Sequence, residues 1–168
     1  MSKLISVYEI YKHSLGVNTD SRSLQKGEVF IALKGENFNG NNFVEAAIDQ
    51  GADGVVGPNW VPEAMDPAFQ AVVDAGIPLV IYNAGGIEAA DRLGALNYVG
   101  AVDYLAGVAG GEWLGNNGAT NGLCVNSLPG AANIEDYCNG FAEGLENTGN
   151  SASTMPLPAT AQGNVTAV

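Results

Sequence analysis

Residues 43–60 read FVEAAIDQGADGVVGPNW and pass through a helix, a turn, a strand and a loop in that order. Phe43, Ala46 and Ala47 recur at the i, i+3, i+4 spacing of an apolar helical face, with Ile48 beside them. Gly51 stands where a helix C-cap requires positive φ. Val55 and Val56 form the short β-branched run of a buried strand. A helix–glycine–strand unit of this kind belongs to α/β folds with parallel sheets, and the flanking sequence extends the pattern both ways.

Upstream, Leu4, Val7, Tyr8, Tyr11 and Leu15 share one face of a helix that Gly16 ends. His13, the sole histidine, lies on its polar side and reads as a solvated residue rather than a catalytic base. Val29–Leu33 is a strand preceded by a Lys-Gly turn and followed by a Gly/Asn-rich loop. Downstream, Pro67–Ala75 is a helix with Phe69, Val72 and Val73 inward, capped by Gly76. Pro78–Tyr82 is a buried strand followed by the loop Asn83–Gly86, and Ala95–Gly100 is a further short strand. Tyr104–Leu114 is a helix so rich in Gly and Ala that it implies close packing against a sheet. Leu123–Asn126 is a strand, Ile134–Leu145 a helix and Met155–Leu157 a last strand; Thr160–Val168 reads equally as a last helix, which Gly163 disfavours, or as a frayed end. Helices and strands alternate at short spacing. The expected fold is therefore an α/β three-layer sandwich: a mostly parallel sheet with helices on both faces.

Length supports one compact domain or two small lobes. A net charge of −12 and a pI near 4.1 argue against nucleic acid as a partner, because phosphate attraction needs a basic patch. The positive charge is uneven: Lys3, Lys12, Arg22, Lys26 and Lys34 precede residue 56, and only Arg92 follows it. No apolar run reaches the roughly eighteen residues of a membrane span. The N-terminus reads as an amphipathic helix, not a secretory leader, so the expected compartment is the cytoplasm. Cys124 and Cys138 have no metal-ligand spacing. They are placed to meet across a strand–helix pair, but a reducing compartment favours two buried thiols. No cofactor or metal is expected.

The motifs divide near residue 56. Thr19–Arg22 (TDSR), the run Gly27-x-x-Phe30-x-Ala32-Leu33-Lys34-Gly35, and Asn37-Phe38-x-Gly40-x-x-Phe43 resemble the N-terminal domain of the Mur ligases. The match is to the enzyme that adds D-alanyl-D-alanine. That resemblance implies a UDP site with contacts from Ser21, Arg22, Lys34, Gly35 and Asn37. A guanidinium forks onto phosphate oxygens, and glycine backbone approaches a diphosphate closely. Nothing here resembles the phosphate loop of the ligases' ATPase domain, so ligase activity is not expected.

Residues 48–160 resemble periplasmic sugar-binding proteins of ABC transporters, of the ribose-binding type. The resemblance rests on Gly51–Val56, Val73–Pro78 with Asn83–Gly85, Tyr98–Gly100 with Tyr104–Gly107, and Leu123–Asn126 through Gly140-Phe141. The resemblance implies a periplasmic-binding-protein- or flavodoxin-like sandwich, with ligand contacts at the loops after parallel strands, where Asn83, Gly85, Asn126 and Asn133 stand. Ala101, Val102, Ser127, Leu128 and Tyr137 depart from polar positions of that family, Tyr137 replacing an arginine that grips sugar hydroxyls. The sequence thus reads as two segments, 1–56 Mur-like and 57–168 binding-protein-like. Together they would form a recombined or designed chimeric scaffold with no complete active site and no enzyme activity. The alternative reading is a small-molecule module for a sugar or UDP-sugar. An incomplete sheet leaves an open edge, which implies a homodimer.

Overall fold

The computed structural model describes residues 3–35 and 38–157. It contains two compact units, Met1–Gly100 and Ala101–Val168. The change of resemblance near residue 56 falls inside the first unit and within one of its strands, so it is not a structural boundary.

In the first unit the elements run α1 (Lys3–His13), β1 (Gly16–Asn18), β2 (Glu28–Ile31), β3 (Lys34–Gly35) and β4 (Phe38–Asn39), then a 3-10 turn (Gly40–Phe43). They continue with α2 (Val44–Asp49), β5 (Gly54–Gly57), α3 (Pro62–Asp74), β6 (Leu79–Tyr82), α4 (Gly86–Leu93) and β7 (Asn97–Val99). The sheet has the order β1-β2-β5-β6-β7 and is parallel throughout, while β3 and β4 form an antiparallel hairpin. Strands β2, β5, β6 and β7 step in one direction, so right-handed crossovers put α2, α3 and α4 on one face. Alternation along the strands sends Phe30, Val55, Leu79 and Ile81 to that face, where they meet Val44, Ala47, Phe69, Val72 and Leu93 in a single core. Helix α1 lies on the opposite face, its Ile10 methyl close against Gly54. The expected α/β sandwich, helices on both faces of a parallel sheet, is therefore present in this unit.

Four expectations shift here. Tyr8 and Tyr11 are each 59% exposed and Leu15 is 80% exposed, so these three members of the expected apolar face are outward. Gly54 has no side chain, and the space it leaves takes Ile10, which seats α1 on a different edge. Helix α3 begins at Pro62 rather than Pro67, because Pro62 with its fixed φ starts the helix and Pro67 is carried inside it. The Gly/Asn-rich loop predicted after β2 is partly the β3–β4 hairpin and the 3-10 turn. Helix α4 was not predicted at all; its buried positions Ala89, Ala90 and Leu93 carry little apolar bulk.

The second unit runs α5 (Asp103–Asn116), β8 (Asn121–Asn126), α6 (Ala132–Glu146) and β9 (Ser151–Pro156), with β8 and β9 parallel. Strand β8 turns Gly122 toward Phe141 and Leu145 of α6. Cys124, two positions on, shares that face and forms a disulfide with Cys138, Cα–Cα 5.5 Å. The expectation of two free thiols is thus corrected: strand alternation and the α6 register bring the pair within bridging distance. The glycines of α5 also differ from expectation. They pack against another helix instead of a sheet: Gly107 and Gly111 face the backbone of Tyr137 and Phe141, while Gly140 and Gly144 face the backbone of Tyr104 and Val108. The segment Thr160–Val168, read as a helix or a frayed end, lies outside the described residues.

Candidate functional site

Three clusters carry the residues singled out by sequence. The first follows β1. Thr19, Asp20, Ser21 and Arg22 line, with Phe43, a concavity of about 430 Å³. The loop is ordered by its own side chains: Asn18 Oδ1 accepts from the Asp20 amide at 3.0 Å, and Glu28 Oε2 accepts from the Gln25 amide at 2.8 Å and from Asn18 Nδ2 at 3.0 Å. Those bonds, the Gln25 amide first, hold the Glu28 carboxyl below the usual range. Ser21 is buried.

Arg22 is already engaged, donating from Nε to Asp20 Oδ1 at 2.9 Å and from Nη2 to Oδ2 at 2.6 Å. A phosphate at this place would compete with a carboxylate already forked by the same guanidinium. Of the other residues in the implied UDP set, Lys34 and Gly35 form β3, pairing with Asn39 and Phe38, and Asn37 lies outside the described residues.

The Asp20–Arg22 fork makes a titration prediction. The Arg22 side chain, followed by its backbone amide, lowers the Asp20 pKa from 3.8 to about 2. A depressed carboxylate contributes stability that is fully present above its unfolded pKa and lost as pH falls through the folded one. The window here runs from about 4 down to about 2. Carbon-detected NMR should place the Asp20 midpoint near 2, and Arg22→Ala should raise it part of the way to the ordinary range, because the backbone amide at position 22 still donates to Oδ1. An unmoved midpoint in that variant would refute the ion pair as its cause.

The second cluster is the loop at the C-terminal end of β6. Asn83 sits at φ 61°, Gly85 at 99° and Gly86 at 67°. Asparagine tolerates the left-handed region better than other non-glycine residues. The Asn83 backbone is tied on both sides: its amide donates to the Val99 carbonyl and its carbonyl accepts from the Tyr98 hydroxyl, each at 3.0 Å. Its side chain is exposed. Gly85 is a close approach as well as a turn, since a Cβ there would stand 2.8 Å from the Asn59 Cβ and 3.0 Å from the Ala89 Cβ. The result is a rigid loop presenting one amide side chain beyond the end of a parallel strand, where α/β sheets hold ligands.

The third cluster lies in the second unit. Asn126 is 2% exposed; its Nδ2 donates to Glu135 Oε1 at 2.8 Å and its Oδ1 accepts from the Leu128 amide at 3.1 Å. Glu135 Oε1 also accepts from the Gly130 amide, at 2.9 Å, so Asn126 fastens the turn before α6. Asn133 has a buried Oδ1 with no partner among the described residues. Tyr137 stands apart from this polar set. It is 43% exposed and lines an apolar groove of about 490 Å³ with Trp113, Leu123, Val125, Ile134 and the disulfide. Sequence reasoning missed the polar residues behind the β6 loop, Asn59, Asp66 and Arg92; the strand-terminal Pro58-Asn59 was the one available sign. Among the described residues no cluster of His, Cys, Asp and Glu could hold a metal, and no helix is long and apolar enough to cross a membrane.

Comparison with known proteins agrees with this fold. The periplasmic binding protein domain family matches residues 37–168, overlapping the end of the Mur-like stretch. A carbohydrate transporter from Acidothermus cellulolyticus, solved in complex with myo-inositol, superposes with a TM-score of 0.67 at 30% identity, covering 74% of this chain and 42% of that one. A galactofuranose-binding protein shares the fold at a TM-score of 0.60 and 21% identity, over 94% of this chain and 51% of that one. A xylose/arabinose-binding protein of Sulfolobus acidocaldarius is 32% identical over 114 residues, 62% of this chain and 28% of that protein. The UDP-N-acetylmuramoyl-tripeptide–D-alanyl-D-alanine ligase of Bacillus subtilis is 41% identical over 59 residues, 35% of this chain and 13% of the ligase. The chain therefore spans only part of each relative. The family match nevertheless takes in well over half of the chain, both strand-end clusters included, and the chain belongs to the periplasmic binding protein domain family.

Proposed function

We propose that the chain is a carbohydrate-binding module whose ligand is gripped by the loop after β6. The observation that carries this reading is Asn83, held in a left-handed conformation by two backbone hydrogen bonds with its side chain turned outward. Such an amide, carried on backbone that is already fixed, offers both a donor and an acceptor to neighbouring hydroxyls of a sugar or cyclitol and leaves only its own side chain to be ordered on binding. The relatives solved or named with myo-inositol and pentoses support that ligand class. The disulfide supports an oxidising working compartment, in place of the cytoplasm expected from the N-terminus.

A second reading draws on the ligase similarity: two ancestries joined in one sheet, with no evolved ligand. Thermal melts with myo-inositol, D-xylose, L-arabinose and UDP-N-acetylmuramic acid separate the two. A ligand at about 100 times its dissociation constant stabilises by about 2.7 kcal/mol, several degrees for a domain of this size. A shift with a free sugar is the expected result. A shift with the UDP compound alone would move the site to the concavity beside Arg22. A cooperative melt unmoved by all four would leave the scaffold reading standing.

A further inference from the structure

Behind the β6 loop lies a chain of polar groups with no counterpart in the sequence expectations. Asn59, after β5, is fully buried. Its backbone amide donates to the Ala84 carbonyl at 3.1 Å, and its Cβ fills the space left by the absent side chain of Gly85. Its side-chain Nδ2 donates to Asp66 Oδ1 at 2.7 Å, while its Oδ1 has no partner among the described residues. The bond to Asp66 therefore sets the orientation of a buried amide that supports the loop from below. Asp66, on α3, is in turn gripped by Arg92 of α4, Nε to Oδ2 at 3.1 Å and Nη2 to Oδ1 and Oδ2 at 3.1 and 2.9 Å. Helix α4 starts at Gly86, directly after the loop. The relay thus joins the loop's underside to the helix that follows it.

We infer that Asp66 and Arg92 are positioning residues for the β6 loop, acting through Asn59 to fix the backbone of Asn83–Gly86. A planar guanidinium forked on a carboxylate fixes orientation as well as distance, which a surface ion pair with lysine would not. Losing Asp66 leaves a buried amide with no partner, and the penalty falls on the segment resting upon it. The effect on ligand affinity rests on the carbohydrate reading above; the effect on the loop does not.

The test uses the full chain with Asp66→Ala and Arg92→Lys. Amide hydrogen exchange at Asn59, Asn83 and Ala84 should speed up by about tenfold or more in Asp66→Ala, with Arg92→Lys intermediate, while Ala32 and Val55 in the sheet keep their rates. Affinity for myo-inositol should fall by about tenfold in Asp66→Ala and less in Arg92→Lys. Uniform acceleration across the unit would reduce the relay to general stability and overturn the inference, as would an unchanged loop. So would a faster loop with unaltered myo-inositol affinity. If the unaltered protein binds no sugar, the carbohydrate reading fails alone, and the exchange rates still decide the relay.

Discussion

Gly111→Ala is expected to unfold much of the second unit, at a cost of about 4 kcal/mol or more. The added methyl would overlap the Phe141 carbonyl oxygen and stand 2.8 Å from the Leu145 amide nitrogen. Both are backbone atoms of α6, so no rotamer change makes room and the two helices must separate. Separation is costly because the glycine contacts are reciprocal: Gly107 and Gly111 of α5 and Gly140 and Gly144 of α6 each abut the opposite backbone. Dispersion across such a crossing is lost with small gaps. Gly110→Ala supplies the control, since a Cβ there meets only the Tyr137 hydroxyl at 3.8 Å. Relief of glycine's backbone entropy should make that variant more stable by about 0.5–1 kcal/mol. Denaturant melts of the two variants measure the contrast. Gly111→Ala within about 1 kcal/mol of the unaltered protein would show that the crossing is looser than this geometry.

How much of this was legible in the sequence depends on what kind of signal each element carries. Gly51 at φ 80° and the buried run from Leu79 to Ile81 were readable because turn chemistry and strand burial are local properties. Phe69 and Val72 were readable from helical spacing even though the helix start was misplaced. Helix α5 was recognised, but not its partner. Its buried residues are glycines, which leave no apolar stripe to say what covers them. Helix α4 was invisible for a related reason, with alanines at two of its three buried positions. The site divides the same way. Asn83 and Gly85 announced themselves as a loop after a strand. Arg92 is 26 residues from Asp66 and sits on the unpredicted helix, so only the fold reveals Asn59, Asp66 and Arg92 as one relay. The seam near residue 56 was a true change of motif, yet β2 on one side of it pairs in parallel register with β5, which spans it. Ancestry and structural boundary are independent properties, and only the first is written in motifs.

Breaking the Cys124–Cys138 disulfide is expected to cost the second unit about 3 kcal/mol, the loop-closure value for a bridge of this span. The sequence separation is 14, and in the loop-closure account the bridge acts by narrowing the unfolded ensemble, less than a bridge closing a longer loop would. That loss is large for this unit. Among the described residues its sheet has two strands, an arrangement that is marginal without a helix packed on it, and the bridge fastens β8 to the helix that covers it. Cys138 is itself 2% exposed beside Phe141 and Leu145, so Cys124→Ala with Cys138→Ala is a cleaner change than serine, which would bury a hydroxyl. The first unit has its own core of Phe30, Phe69, Leu79 and Ile81 and should be indifferent to the change. Hydrogen exchange with and without reductant distinguishes the units, with mass spectrometry confirming that the bridge has opened. Faster exchange confined to α6, β8 and β9 is the expected outcome. Equal protection before and after verified reduction would mean that the glycine crossing of α5 and α6, rather than the bridge, already holds β8 in place.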